Sequence, residues 1–147
     1  MSTIEQYLGQ DHDRCDELFV AAEQQAAQGD WVAATERLAD FLGAIERHFT
    51  MEEAVLFPGL ETVTGGGMGP TQVMRHEHAQ MRGLFSELEQ AAAQQDLDGF
   101  LGGAETLLVL MQQHNAKEEQ ILYRMADRVL AGERDTLIGQ MEAVTVA

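Results

Sequence analysis

The sequence predicts an all-α protein: a bundle of four long helices with a short fifth helix at its C-terminal end. Three observations predict this. Strand signals are nearly absent, and Ala, Gln, Glu and Leu dominate the chain. Apolar residues recur in steps of three and four. Proline occurs only at Pro58 and Pro70, and the glycine cluster Gly65-Gly66-Gly67-Met68-Gly69-Pro70 divides the chain into halves, each with two long helical stretches.

The first helix runs from about Ile4 to Gln28, with the apolar face Ile4, Leu8, His12, Cys15, Phe19 and Ala22. The second runs from about Trp31 to Phe57, capped by Asp30. Its face is Leu38, Phe41, Ile45, His48, Glu52 and Leu56. The third starts near Thr71 and ends near Gln95, with Met74, His78, Met81, Phe85 and Leu88 on one face. The fourth runs from about Leu97 to Leu130 and carries Ala104, Leu108, Met111, His114, Glu118, Ile121 and Met125. A weaker segment, Glu133 to Ala143, reads as the fifth helix, and Val144 to Ala147 as a loose end.

Polar residues interrupt these apolar stripes in a repeated order. The spacing from His12 to His48 equals the spacing from His78 to His114. Both second histidines open the string His-x-x-x-Glu-Glu-x-x-Leu-aromatic, as His48 to Phe57 and as His114 to Tyr123. One constant offset therefore carries His12 onto His78 and the whole of the first string onto the second. The acid before each first histidine repeats too, as Asp11 and Glu77. A lone core histidine is more often a satisfied structural residue than a ligand. Six polar groups on the core faces of four helices are costly unless they share one compensating partner.

A metal pair is such a partner. It accepts imidazole lone pairs and neutralises carboxylates. His48 and Glu52 are i, i+4 and lie one above the other on a helix, as do His114 and Glu118. A carboxylate can bridge two ions and an imidazole cannot. The expected ligands are therefore His12, His48, His78 and His114 as terminal groups, with Glu52 and Glu118 as bridges. Nitrogen and oxygen donors in a dinuclear site suit iron, with manganese or zinc as alternatives.

At 147 residues the chain is expected to form one domain, residues 1–147, with the bundle core over about 4–130. The formal net charge of −16 disfavours nucleic acid and anionic membranes as partners and favours cations. The single cysteine, Cys15, permits no disulfide within the chain and fits a reducing cytoplasm, the expected location. No signal peptide and no membrane-spanning run is visible.

Other residues read more plainly. His76 sits off the stripe, among Gln80, Gly83 and Glu87, and is expected in solvent. Glu53 and Glu119 have three readings: a hydrogen-bond partner of a ligand, the lining of an access channel, or a solvated flank. Cys15 reads as a small core residue, as do Met51, Met74, Met81, Met111 and Met125 as packing. Tyr7 and Tyr123 are candidate hydroxyls near the site, with no spacing that forces it. No serine or cysteine nucleophile and no phosphate-binding loop is recognisable.

The residues Asp11-His12, His48-x-x-x-Glu52-Glu53-x-x-Leu56-Phe57-Pro58, Glu77-His78 and His114-x-x-x-Glu118-Glu119-x-x-Leu122-Tyr123 resemble the hemerythrin-like family, the HHE cation-binding domain. The resemblance covers about residues 4 to 130. It implies an up-down-up-down four-helix bundle around a non-haem di-iron centre bridged by oxo or hydroxo and carboxylates. The oxygen-carrying members use five histidines, with a His-x-x-x-His pair on the third helix and an aspartate as second bridge. Here Gln80 and Arg82 follow His78, and the second bridge is Glu118. The four-His, two-Glu set is more similar to the iron–sulfur cluster repair proteins and the iron-sensing hemerythrin domains. The function this implies is binding or sensing of O2, NO, peroxide or iron. The alternative is a redox enzyme or iron donor of the repair type. A diatomic ligand such as O2 or NO is the expected partner, and no protein partner is indicated.

Overall fold

A computed structural model describes residues 2–65 and 69–145. Gly66, Gly67 and Met68 of the glycine cluster, and Val146 and Ala147 of the expected loose end, lie outside the described residues. No strand occurs among the described residues.

Helix α1 spans Ile4–Ala27 and opens on a capping box. The Thr3 hydroxyl accepts from the Gln6 amide and the Gln6 side chain accepts from the Thr3 amide, each at 3.0 Å. Asp127, far along the chain, accepts from the Ile4 and Glu5 amides at 2.8 and 3.1 Å. A carboxylate at that end complements the helix dipole.

Helix α2 spans Trp31–Met51 and is capped by Asp30, whose side chain accepts from the Ala33 amide at 3.1 Å. It does not stop at Phe57 as expected. It continues through a π turn, Glu52–Leu56, into α3, Phe57–Thr64. Pro58 falls in the first turn of α3, where a missing N–H is best tolerated. Helix α4 spans Pro70–Ala93 and α5 spans Leu97–Lys117, capped by Asp96 on the Gly99 amide at 3.0 Å. A second π turn, Glu118–Leu122, leads into α6, Tyr123–Val129. The connections repeat as well. Gly29 and Gln95, equivalent positions of the two halves, both adopt positive φ, 78° and 53°, just before the capping aspartates.

The π turns correct the expected face of the last long helix. Ile121, expected in the core, is 61 % exposed, while Leu122 and Tyr123 are buried. An α-helix would place position 121 below Glu118. The wider turn adds a residue and hands the face to positions 122 and 123. Upstream, Leu107 is buried and Leu108 packs half-buried at its edge. Met125 likewise is only partly buried.

Helix α1 packs on α2 and α5, and α4 packs on α2 and α5, so four helices close a ring around one interior. The fifth segment is better anchored than its weak pattern suggested. Helix α7, Arg134–Glu142, buries Leu137, Ile138 and Met141 against the bundle. Arg47 donates to the carbonyls of Met141, Glu142 and Val144, so the chain is held to Val144 rather than loose there.

The core comes as two apolar clusters. One contains Cys15, Phe19, Leu38, Phe41, Phe49, Met81, Phe85 and Met111. The other contains Leu8, Met51, Leu56, Phe57, Met74, Leu122, Tyr123 and Met141. On α1, α4 and α5 the polar residues fall between the two. His12 separates Leu8 from Cys15, and His78 separates Met74 from Met81.

Candidate metal centre

His12, His48, Glu52, His78, His114 and Glu118 are all buried, none more than 2 % exposed. The fold brings together all six residues that the sequence singled out. Glu52, His78, His114 and Glu118 each offer one donor atom within 4.8 Å of the others. His12, His48 and Glu118 form a second such group. Glu118 belongs to both. Glu52 belongs to the first, and its Oε1 also comes to 3.5 Å from His48 Nε2.

Four of the donor atoms face one another without being satisfied by one another. His78 Nε2 lies 3.1 Å from Glu52 Oε1, and His114 Nε2 lies 3.2 Å from Glu118 Oε1. Yet His78 Nε2, His114 Nε2, Glu52 Oε1 and Glu118 Oε2 have no hydrogen-bond partner. Each such buried orphan costs about 1–3 kcal/mol. Atoms that approach closely with poor hydrogen-bond alignment are arranged as ligands around a common centre are. Nitrogen and carboxylate oxygen donors of this kind fit a transition-metal cation.

Local structure explains how the carboxylates reach this layer. Each closes a helical turn with its histidine, four residues before it, and then begins a π turn. The Phe57 amide donates to the Glu52 carbonyl, and the Tyr123 amide donates to the Glu118 carbonyl, both five residues back. Glu118 and Tyr123 therefore share a face. The Tyr123 hydroxyl lies 2.7 Å from Glu52 Oε2 and 2.9 Å from Glu118 Oε1, and its single proton is shared between the two carboxylates. It also lies 3.2 and 3.3 Å from the Nε2 atoms of His12 and His48. Tyr7, the other candidate hydroxyl, points elsewhere, at the Met51 sulfur.

The outer nitrogens of three histidines are pinned by carboxylates. His48 Nδ1 meets Asp11 at 2.8 Å, His114 Nδ1 meets Glu77 at 2.8 Å, and His78 Nδ1 meets Glu53 at 2.7 Å. Such contacts fix which ring nitrogen carries the proton and leave Nε2 as a lone-pair donor. The repeated acids Asp11 and Glu77 thus have a role that the sequence reading left unassigned. Their signal was the repeat itself, outside the apolar stripe. Glu53 takes the partner role, not the solvated one. His76 is exposed, as expected.

The electrostatics call for positive charge. Burial opposes a charge on His12, but the Glu118 carboxylate at its ring nitrogen outweighs this and pushes it up to about 10. Burial opposes a charge on His78 too, yet Glu52 and Glu53 push it up to about 9. Burial and the neighbouring Glu118 push Glu52 above the usual carboxylate range. Burial likewise opposes ionisation of Asp11 and Glu53, but hydrogen bonds from His48 and from His78 and Arg82 hold both at about 2. A cation in the layer would supply the charge that these shifts draw from protons.

No helix among the described residues is long and apolar enough to cross a membrane. No curated protein and no solved structure shows significant similarity to the chain. The hemerythrin HHE cation binding domain matches it over residues 3–126, from the first helical cap to α6. With that match and a buried His/Glu layer at its centre, the chain belongs to the hemerythrin HHE cation-binding family.

Proposed function

We propose that His12, His48, Glu52, His78, His114 and Glu118 hold two iron ions, with Glu52 and Glu118 as the bridging carboxylates. In this reading the protein binds or senses O2, NO, peroxide or iron itself as a freely diffusing cytoplasmic protein. The observation that carries it is the sharing of Glu118 by two buried donor groups. A shared carboxylate is what a dinuclear site requires of its bridge. Manganese and zinc suit the same atoms.

A bound iron pair supplies a centre that can pass electrons to a diatomic ligand. The chain's own residues do the rest. Asp11, Glu53 and Glu77 hold three imidazole rings in one orientation. The Phe49 ring, stacked on His78 at 3.8 Å, and Phe57, at 5.7 Å from the same ring, exclude water from that side. The Tyr123 hydroxyl places a hydrogen-bond donor among the carboxylates.

Metal analysis of protein purified without chelator, then saturated with iron, tests this. Two metals per chain are expected, and one per chain overturns the dinuclear reading. Iron should also raise the melting temperature, by linkage worth about 4 kcal/mol at a thousandfold excess over Kd. Mixing the reduced protein with O2 or NO then separates the roles. A stable adduct supports binding or sensing, and repeated turnover supports the redox-enzyme alternative.

A further inference from the structure

The internal repeat makes the two halves comparable position by position, and around the outer edge of the donor layer they differ. Beside His78 the edge is closed. The Phe49 ring lies flat on the imidazole at 3.8 Å. Arg82 spans from Glu46 to Glu53 and lies 5.1 Å over the Phe49 ring. Arg75 covers Phe57 at 5.3 Å. In the other half the positions of Phe49, Arg82 and Arg75 are held by Asn115, Asp16 and Gly9. An aromatic lid and two guanidinium braces are replaced by an amide, an acid and no side chain.

The result is a cleft of about 420 Å³ that reaches His12 from the surface between α1 and α5. Its lining includes Asp13, Asp16, Asn115 and Glu119. Arg124 at its rim is paired with Glu5 at 3.2 Å. Asp13 and Asp16 have no basic partner among the described residues, so the lining is net negative.

A second observation is independent of that charge. His12 is 2 % exposed, and its Nδ1 has no hydrogen-bond partner. Glu119 Oε2 stands 3.4 Å away, without hydrogen-bond alignment, and no arginine braces it as Arg82 braces Glu53. His12 lines the cleft and at the same time turns Nε2 inward to Glu118 at 3.0 Å. It is the one histidine of the four whose outer nitrogen is not pinned.

We propose that this cleft is the inlet by which a hydrated divalent cation reaches the donor layer, with Asp13 and Asp16 drawing it in, Glu119 passing it inward, and His12 as the ring that turns to admit it. The proposal rests on the metal-binding reading above. It makes the His12 side the one that loads and empties, and the His78 side the one that retains.

The test is the rate of ferrous iron uptake by metal-free protein under argon, sampled with a chromogenic chelator. The double variant Asp13→Asn/Asp16→Asn removes charge at the mouth only. It should slow uptake about fivefold at low ionic strength, with the difference shrinking in salt, while the final iron content stays that of the unaltered chain. Asp98→Asn/Glu105→Gln, the same charge change near the far end of α5, should fill at the original rate. Asn115→Phe, which copies the lid of the other half, should slow both uptake and removal by chelator. Circular dichroism checks its fold, and the surface double variant carries the test without it. Uptake at the original rate in the double variant, or equal slowing in the Asp98/Glu105 control, overturns the inlet. Failure of the unaltered chain to take up iron at all would instead overturn the reading on which the inlet rests.

Discussion

The phenol of Tyr123 donates a 2.7 Å hydrogen bond to Glu52 across the bundle, whereas its counterpart in the first half is Phe57. One half therefore contributes a hydroxyl to the donor layer and the other only a ring. Tyr123→Phe should destabilise the metal-free protein by about 1–3 kcal/mol, because two buried carboxylates lose a donor. Metal would take over those oxygens, so the loss in the iron-loaded form should be smaller. Thermal melts of both forms check this. Equal losses would mean that the hydroxyl acts through something other than the carboxylates.

His78→Ala should lose or greatly weaken one metal, since His78 is fully buried beside Glu52. His76→Ala, two residues away and exposed, should leave metal content unchanged. Metal analysis of the two variants is sufficient, and the reverse result would put the donor face on the other side of α4.

Glu53 is not a bystander to Glu52. It accepts from His78 Nδ1 at 2.7 Å and from Arg82 at 2.8 Å. Glu53→Gln keeps an acceptor for the imidazole but loses the charge. It should weaken metal binding about 10- to 100-fold while two metals still bind at saturation. Glu52→Gln should abolish the coupled pair. Competition with a chelator measures the first effect and magnetic susceptibility the second. No change in affinity for Glu53→Gln would sink the role assigned to its contact with His78.

Gln95 holds φ at 53°, where its counterpart in the first half is Gly29. A left-handed backbone costs a non-glycine residue about 1–2 kcal/mol. Gln95→Gly should therefore stabilise the protein by about 1 kcal/mol, less the extra chain entropy that glycine brings. Urea denaturation gives the sign directly.

Cys15 is buried, and burial pushes its thiol up to about 12. The thiolate is the reactive species. At pH 8 a thiol reagent should label it only as fast as the protein opens, with labelling at once in denaturant. Fast labelling of the native protein would contradict its place between Phe19 and the donor layer.

Much of this arrangement was legible in the sequence because one physical rule governs it. A polar residue inside an apolar stripe of period three to four must face the core, and six such residues matched in two halves face each other. That rule located His12, His48, Glu52, His78, His114 and Glu118. It failed where the helix stops being α-helical. Ile121 was assigned to the core and Tyr123 left open because a constant step of about 100° was carried through Glu118. The π turn was invisible because nothing in Glu-Glu-x-x-Leu names it; the amides of Phe57 and Tyr123, bonded five residues back, reveal it. Asp11 and Glu77 carry no assigned role in the sequence, and Glu53 more than one, for a different reason. They lie at the edge of the stripe, where composition alone cannot tell a solvated acid from one that reaches inward.

Those two π turns also change what kinds of sequence change the protein can tolerate. Each turn holds one residue more than an α-helix would use to make the same revolution. Ala54, inside the first, is exposed, so its side chain is nearly free to vary, while Gln120, inside the second, is exposed where it lines the cleft at His12. Their presence is optional too. Removing either residue would leave the aromatic four residues after its glutamate, the spacing an α-helix keeps on one face, so Phe57 or Tyr123 would still face the histidines once the turn tightened. The α-helical turn before each has no such slack: one residue inserted between His48 and Glu52, or between His114 and Glu118, should swing the carboxylate about 100° off its histidine and dismantle the centre.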